Sequence, residues 1–254
     1  MLGYEASTYG DGFAEVYDSW YPHDDAVEQA VATIADLAQG GPVLELGCGT
    51  GRLLLPVAGR GLGAYGLDAS QPMLDQLQQK PGAANVITWC ADMAQFELTD
   101  APRFALVFCA FNTFFNLPTL QQQQSCLHAV AAHLLPSGRL ALECFVPGDS
   151  PPDRVDQIEL RELSAHRVIL RVSRQDPANQ TVSGQHIEFT NGGVRLHPWH
   201  LRYAPVAEID ELAIAAGLVL QQRWASWDRD PFTSESASHV SVYRKAGKGP
   251  AING

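Results

Sequence analysis

The sequence is short of positive charge, of paired cysteines and of long apolar runs, and each shortage removes a class of function. Lys and Arg number 17 against 28 Asp and Glu, a net charge of −11. Nucleic-acid binding rests largely on Lys and Arg neutralising phosphates. No Lys/Arg run stands out, so nucleic acid is not expected as a substrate. The five cysteines, Cys48, Cys90, Cys109, Cys126 and Cys144, are odd in number and include no C-x-x-C pair. Most sit in apolar runs such as Phe104 to Phe111, as buried thiols of a reducing cytoplasm would. No apolar run reaches about 18 residues and no basic-then-apolar leader opens the chain, so a soluble cytoplasmic protein with no membrane contact is expected. No His-x-x-x-His or His/Cys set accompanies His197 and His200, so no metal is expected. Internal repeats are absent, and the sequence leaves a homo-oligomer open.

What is present is a globular composition, with 18% charged and 46% apolar residues over 254 positions. That length suits one α/β domain with insertions. Short apolar runs predict strands at Val43–Leu46, Ala64–Leu67, Val86–Trp89, Phe104–Cys109 and Leu140–Val146. Helical patterns fall between them, through Leu53 to Val57, from the Ser70 cap through Leu77, and over Thr119–Leu135, where Pro136-Ser137-Gly138 breaks the pattern. An earlier helix is predicted over Asp24–Leu37. Such alternation implies a doubly wound, Rossmann-like α/β sheet, parallel in the main. After Pro147 the pattern changes. A loop of Pro147, Gly148, Pro151 and Pro152 leads to four strand-like runs at Ile158–Leu163, Arg167–Ser173, Ser183–Thr190 and Val194–Tyr203, an antiparallel insertion. A helix over Ala207–Ala216 and strands at Leu218–Trp224 and His239–Arg244 return to the main sheet as an antiparallel edge. The expected division is thus 1–146 with 205–245 as the main domain, 147–204 as the β insertion, and 246–254 as a disordered tail. Residues 1–22 form the most aromatic stretch. There Phe13, Tyr17, Trp20 and Tyr21 fall at helical spacing, and the glycine-flanked segment suits a movable helical lid.

The chemistry centres on Leu44-Glu45-Leu46-Gly47-Cys48-Gly49-Thr50-Gly51, between the first strand and its helix. Glycines let backbone turn sharply and approach a ligand. In doubly wound sheets a crevice opens there, where strand order reverses. Asp68 ends the second strand, 21 residues after Gly47, where a carboxylate can accept bonds from both ribose hydroxyls. A dinucleotide fingerprint needs glycine at position 52, which is Arg52 here, so no pyrophosphate cradle is spelled out.

This spacing resembles the first motif of class I S-adenosylmethionine-dependent methyltransferases, whose cofactor has adenosine and no phosphate. The resemblance implies cofactor contacts from Glu45, Gly47, Cys48, Gly49, Gly51 and Arg52. It places the ribose at Asp68 and Ala69, and the adenine at Asp92 and Met93. It also implies that Phe111-Asn112-Thr113-Phe114, after strand four, borders the transferred methyl. The chain is similar, more narrowly, to small-molecule N-methyltransferases of antibiotic biosynthesis that act on amino sugars and lincosamides. The carrying residues are Gly12 to Asp18, Phe111 to Leu117 and Trp227 to Phe232. In that group the N-terminal tyrosine helix closes over cofactor and acceptor. This implies that Tyr17 bonds the cofactor carboxylate, that Tyr9 faces the acceptor, and that Asn112, Phe114 and Phe115 line the acceptor site.

A sulfonium methyl is already activated, so the protein must mainly align and desolvate the reactants. Aromatic walls suit a cationic sulfonium and an ammonium product, and an acidic surface tolerates cationic small molecules. A roofing insertion favours a compact ligand over a polymer. The expected acceptor is therefore a small amine. The sequence does not single out a base; His197 is the candidate, because its insertion is placed to roof the pocket. Two alternatives stay open: O-methylation of a small molecule, and a non-catalytic nucleoside-binding Rossmann module.

Overall fold

The computed structural model describes residues 1–148 and 154–246. Pro151 and Pro152 of the expected loop, and the tail beyond Ala246, lie outside the described residues. The chain opens with two short helices, α1 (Thr8–Phe13) and α2 (Tyr17–Trp20). The aromatic run is therefore not one helix. The break at 14–16 sends Phe13 and Trp20 toward each other, 5.7 Å between rings, while the Tyr17 and Tyr21 rings meet tilted at 4.9 Å. Helix α3 (Asp25–Ala38) follows, with the Asp24 carboxylate accepting from Val27 N–H as its cap.

The alternating part comprises β1 (Val43–Leu46), α4 (Leu54–Gly59), β2 (Ala64–Asp68), α5 (Gln71–Gln78), β3 (Val86–Cys90), β4 (Phe104–Cys109), α6 (Leu120–His133) and β5 (Leu134–Phe145). Side chains alternate across the strands: Leu44, Leu46 and Val107 enter one core layer, Val43, Leu106 and Phe108 the other. Both faces are thus covered, which is why these strands read as nearly unbroken apolar runs. Sequence and structure part company at the end of α6. The helix stops at His133, whose Nδ1 donates to Ala129 O while its Nε2 accepts from Leu98 N–H. Pro136-Ser137-Gly138 is not a linker but an irregularity inside β5. The parallel ladder passes from Phe104–Leu134 directly to Leu106–Arg139.

Four antiparallel strands come next, β6 (Val155–Leu163), β7 (Arg167–Asp176), β8 (Thr181–Thr190) and β9 (Gly193–Arg202), paired in sequence order. Helix α7 (Val206–Ala215) and strands β10 (Leu218–Trp224) and β11 (Ser238–Lys245) complete the chain. The large sheet has seven strands in the order β10-β11-β5-β4-β1-β2-β3. Its β11 and β10 form the antiparallel edge. From β1 the chain winds outward through β2 to β3, then returns to β4 on the other side. The crevice beyond the carboxyl ends of β1 and β4 lies at that reversal.

Candidate active site

A cavity of about 200 Å³ occupies this crevice. Its floor is the glycine-rich turn after β1. Gly47 adopts φ +68°, and Gly47 and Cys48 both donate to Leu67 O, at 2.8 and 3.0 Å. A Cβ at Gly47 would lie 2.3 Å from Thr113 Cγ2, so glycine is required both for the turn and for the close approach.

Asp68 ends β2 with both carboxylate oxygens anchored. One accepts from Gly49 N–H at 2.8 Å, the other from Ser70 N–H at 2.9 Å. Burial raises its pKa, and these two backbone donors oppose the rise. Each oxygen keeps lone-pair capacity for a ligand hydroxyl, so the geometry fits a ribose diol. Asp92 accepts from Ala94 N–H at 2.8 Å. With Ala69, Ala91 and Met93 it lines the same cavity, a partly apolar wall with one carboxylate that suits a nucleobase.

The N-terminal segment forms the opposite wall through Tyr4, Tyr9, Gly10 and Tyr17. Polar contacts seat it on the large domain. Ser70 Oγ donates to Asp11, Thr50 Oγ1 donates to Asp18, and Lys80 pairs with Asp18 at 2.7 Å. A Cβ on Gly10 would meet Ser70 Cβ at 2.3 Å. Burial pushes the Tyr17 phenol up to about 12, and Tyr4 likewise. Tyr9 is raised well above the usual range by burial and by the neighbouring Tyr21 and Tyr17 phenols. All three are neutral at physiological pH; they can donate hydrogen bonds but supply no phenolate base.

The structure brings Tyr9, Tyr17, Gly47, Gly49, Asp68, Ala69, Asp92, Met93 and Thr113 together around this cavity, and leaves the other predicted residues off its wall. Glu45 is buried behind the turn with Oε2 unpartnered; burial and the nearby Asp68 carboxylate raise its pKa well above the carboxylate range. Cys48 is buried, and Gly51 packs against Leu55 and Leu77. Arg52 bonds Pro22 O, with its guanidinium over the Phe111 ring, and sits behind the wall near enough for its charge to act on the Tyr17 phenol. Phe114 and Phe115 are fully buried core residues rather than acceptor contacts, because the turn at 113–116 rolls them inward under α6. Asn112 is also structural: its Oδ1 accepts from Phe145 N–H at 2.6 Å.

His197 is a further correction. It is buried in an aromatic cluster with Phe13 and Trp20, its Nδ1 donates to Gly12 O, and its Nε2 faces Glu188 at 3.4 Å. It fastens the N-terminal segment to β9 and does not line the cavity. Thr113, which the resemblance set beside the transferred methyl, lines the wall, as does Asn116 of the same 111–117 run; sequence reasoning missed Tyr4, Glu5 and Gln122 there. Tyr4 lay within the noted aromatic stretch; the others carry no periodic or motif signal. It also missed Glu143 on β5. One of its oxygens accepts from both Phe111 N–H (2.8 Å) and Trp227 Nε1–H (2.9 Å), holding the left-handed pair Phe111 and Asn112 in place.

Comparison with known proteins agrees with this geometry. A family model described as a methyltransferase domain matches residues 43–138, the span holding the glycine turn, Asp68, Asp92 and the post-β4 turn. The solved structure of the CcbJ methyltransferase from Streptomyces caelestis is 37% identical, with a TM-score of 0.88, over 96% of this chain and 100% of that one. The chain is a class I S-adenosylmethionine-dependent methyltransferase. A cypemycin N-terminal methyltransferase from a Streptomyces species is 29% identical over 209 residues, 81% of this methyltransferase and 84% of the relative. A dTDP-3-amino-3,6-dideoxy-alpha-D-glucopyranose N,N-dimethyltransferase from Streptomyces fradiae is 25% identical over 73% of this chain and 88% of its own. Among the described residues no helix is long and apolar enough to cross a membrane, and no group of three His, Cys, Asp or Glu side chains is placed to hold a metal.

Proposed function

We propose that this methyltransferase methylates an amine nitrogen of a small-molecule acceptor, an intermediate of natural-product assembly. The observation that carries the reading is that, among the described residues lining the cavity, there is no His, Lys or Cys, and the carboxylates Asp68 and Asp92 are tied to backbone N–H groups, which leaves Glu5 as the one other acid on the wall. The tyrosines are neutral, and His197 is engaged elsewhere. An amine loses its proton to solvent before attack and needs no protein base; a hydroxyl acceptor does. The relatives named as N-methyltransferases support the same choice.

Bound S-adenosylmethionine supplies a sulfonium methyl ready for in-line displacement. On this reading Asp68 holds the ribose, and Asp92 with Met93 borders the adenine. Tyr17 donates to the cofactor carboxylate and Tyr9 faces the acceptor. The N-terminal segment excludes water once closed, and the four-stranded sheet contributes the acceptor side. The acidic balance disfavours nucleic acid, and four buried unpaired cysteines suit the cytoplasm. The outer face of the small sheet exposes Ile158, Leu160, Val194 and Leu196, which is compatible with a homo-oligomer.

The test is incubation with methyl-labelled S-adenosylmethionine and matched panels of amines and alcohols. Label should enter amines, with a rate that climbs with pH toward the acceptor's own pKa. Transfer only to hydroxyls, with a pH profile set by a protein group, would replace this reading with O-methylation.

A further inference from the structure

A second chamber of about 290 Å³ lies between the inner face of the four-stranded sheet and the end of β5. Trp199 and Arg171 line it, with Phe145, Gln175, Val182 and Tyr203 among its other walls. The Trp199 indole lies flat across β8: a Cβ at Gly184 would sit 2.3 Å from its ring. Two donors are buried here without a partner, Trp199 Nε1–H and Arg171 Nε–H. The other end of the Arg171 guanidinium is committed, with Nη2 bonded to Glu159 at about 3.1 Å. Among the described residues no Asp or Glu lines the chamber, in a protein whose net charge is −11.

Buried donors without acceptors are uncommon and costly, and a paired set of them describes what is missing. Oxygen acceptors satisfy both; an ammonium, which brings only donors, satisfies neither. The aromatic faces of Trp199, Phe145 and Tyr203 suit the flat body of a ring. The chamber also adjoins the reaction site. Phe145 on its wall donates to Asn112 Oδ1, and the next residue, Thr113, lines the cofactor cavity. One turn of chain separates the two spaces.

We propose that this chamber is a second binding site, for an apolar ring bearing a carbonyl or carboxylate oxygen, which is the non-reacting end of the methyl acceptor. The assignment of that ring to the acceptor rests on the amine-transfer reading above; the ring site itself does not. Acceptor recognition is then divided, with the amine presented at the first cavity and the oxygen-bearing ring read by Arg171 and Trp199.

The test uses ¹⁵N-labelled full-length protein saturated with S-adenosylhomocysteine, with the Trp199 indole resonance assigned by its loss in Trp199→Phe. Benzoate, benzamide and benzylamine are the probes. Benzoate or benzamide should shift this resonance saturably, whichever binds more tightly telling whether the oxygen taken is anionic or neutral, and benzylamine should not. Arg171→Met should weaken the bound probe about tenfold while S-adenosylhomocysteine still raises its melting temperature, which shows the variant folded. A silent Trp199 resonance with both oxygen probes, unchanged probe affinity in Arg171→Met, or benzylamine binding as well as benzamide would overturn the proposal. Each readout is independent of methyl transfer, so failure here is distinct from failure of the amine assignment.

Discussion

The two sheets present their side chains to solvent in opposite ways. Strand β1 is buried along its whole length, while β6 is exposed or half-exposed at every position. In the seven-stranded sheet, ligand-facing chemistry sits at strand ends and is delivered by backbone: the Gly47 turn and the N–H groups of Gly49 and Ser70 that hold Asp68. The four-stranded sheet instead offers side chains from the middle of strands, Arg171 and Trp199 among them. A site fixed by backbone tolerates little change in sequence, whereas one built from alternate residues on an open face can be rewritten without disturbing the ladder. If the proposals above hold, cofactor and acceptor recognition fall to regions with different freedom to vary.

The largest effect that tests this division comes from removing the N-terminal segment that walls the first cavity and packs on β9. Deleting residues 1–22 should reduce turnover at least about a hundredfold, while circular dichroism retains the sheet signal. In the intact protein, amide exchange in residues 1–22 should slow on adding S-adenosylhomocysteine. Exchange equally slow with and without it would make the segment a fixed wall. Next, Asp68→Ala should weaken S-adenosylhomocysteine binding by about 2–3 kcal/mol, roughly two hydrogen bonds to a charged group, as read by calorimetry. A similar loss from Arg171→Met would erase the distinction between the two sheets.

A pH experiment separates the sheets without any ligand. Burial first, then nearby arginine charge, lowers His239 of the large sheet and His186 of the small one to about 4 from 6.5. A depressed folded pKa means the folded state binds protons more weakly than the unfolded chain. Stability linked to each histidine is thus complete above pH 6.5 and is lost as pH falls from there toward 4. Replacing either with Gln should flatten the melting temperature across that window. Arg161 Nη1 lies 3.2 Å from His186 Nε2, whereas His239 Nδ1 is bonded to the Ser241 hydroxyl at 2.8 Å and the lowering charge on the ring is that of Arg223. The two variants therefore report on the two regions separately. Tyr17→Phe should have the smallest effect, about 1 kcal/mol of cofactor affinity for one hydroxyl bond, with Tyr9→Phe changing acceptor turnover instead. Equal effects of both on cofactor affinity would place both phenols on the cofactor.

The large sheet was readable in the sequence because its signals are local. Short apolar runs, Ser70 and Asp24 as caps, and glycines at a turn each act within a few residues. Asp68 and Asp92 were legible because a strand end fixes where a side chain points. His197 was not, because whether it lines a cavity depends on the docking of α1, which sets Gly12 O against it, and on the 14–16 break, after which Trp20 packs on its ring. Phe114 and Phe115 failed similarly: an aromatic pair after a strand suits either a pocket or a core, and the roll of the 113–116 turn decides. Unpartnered donors such as Trp199 Nε1 exist only once the strands have paired.

Glu143 ties two distant stretches to one oxygen atom. The backbone at Phe111, beside the reaction cavity, and the indole of Trp227, in the loop after β10, share it, and Thr33 on α3 in turn donates to Trp227 O. Divergence of the C-terminal loop is therefore constrained by a site it does not touch. A descendant that loses the indole must recruit another donor or abandon the acid, and abandoning the acid releases Phe111. Positions 143 and 227, whose side chains meet directly, should accordingly change together across related enzymes, whereas 111 enters through its backbone N–H alone, and a loop graft that ignores Glu143 would leave that acid short of a donor.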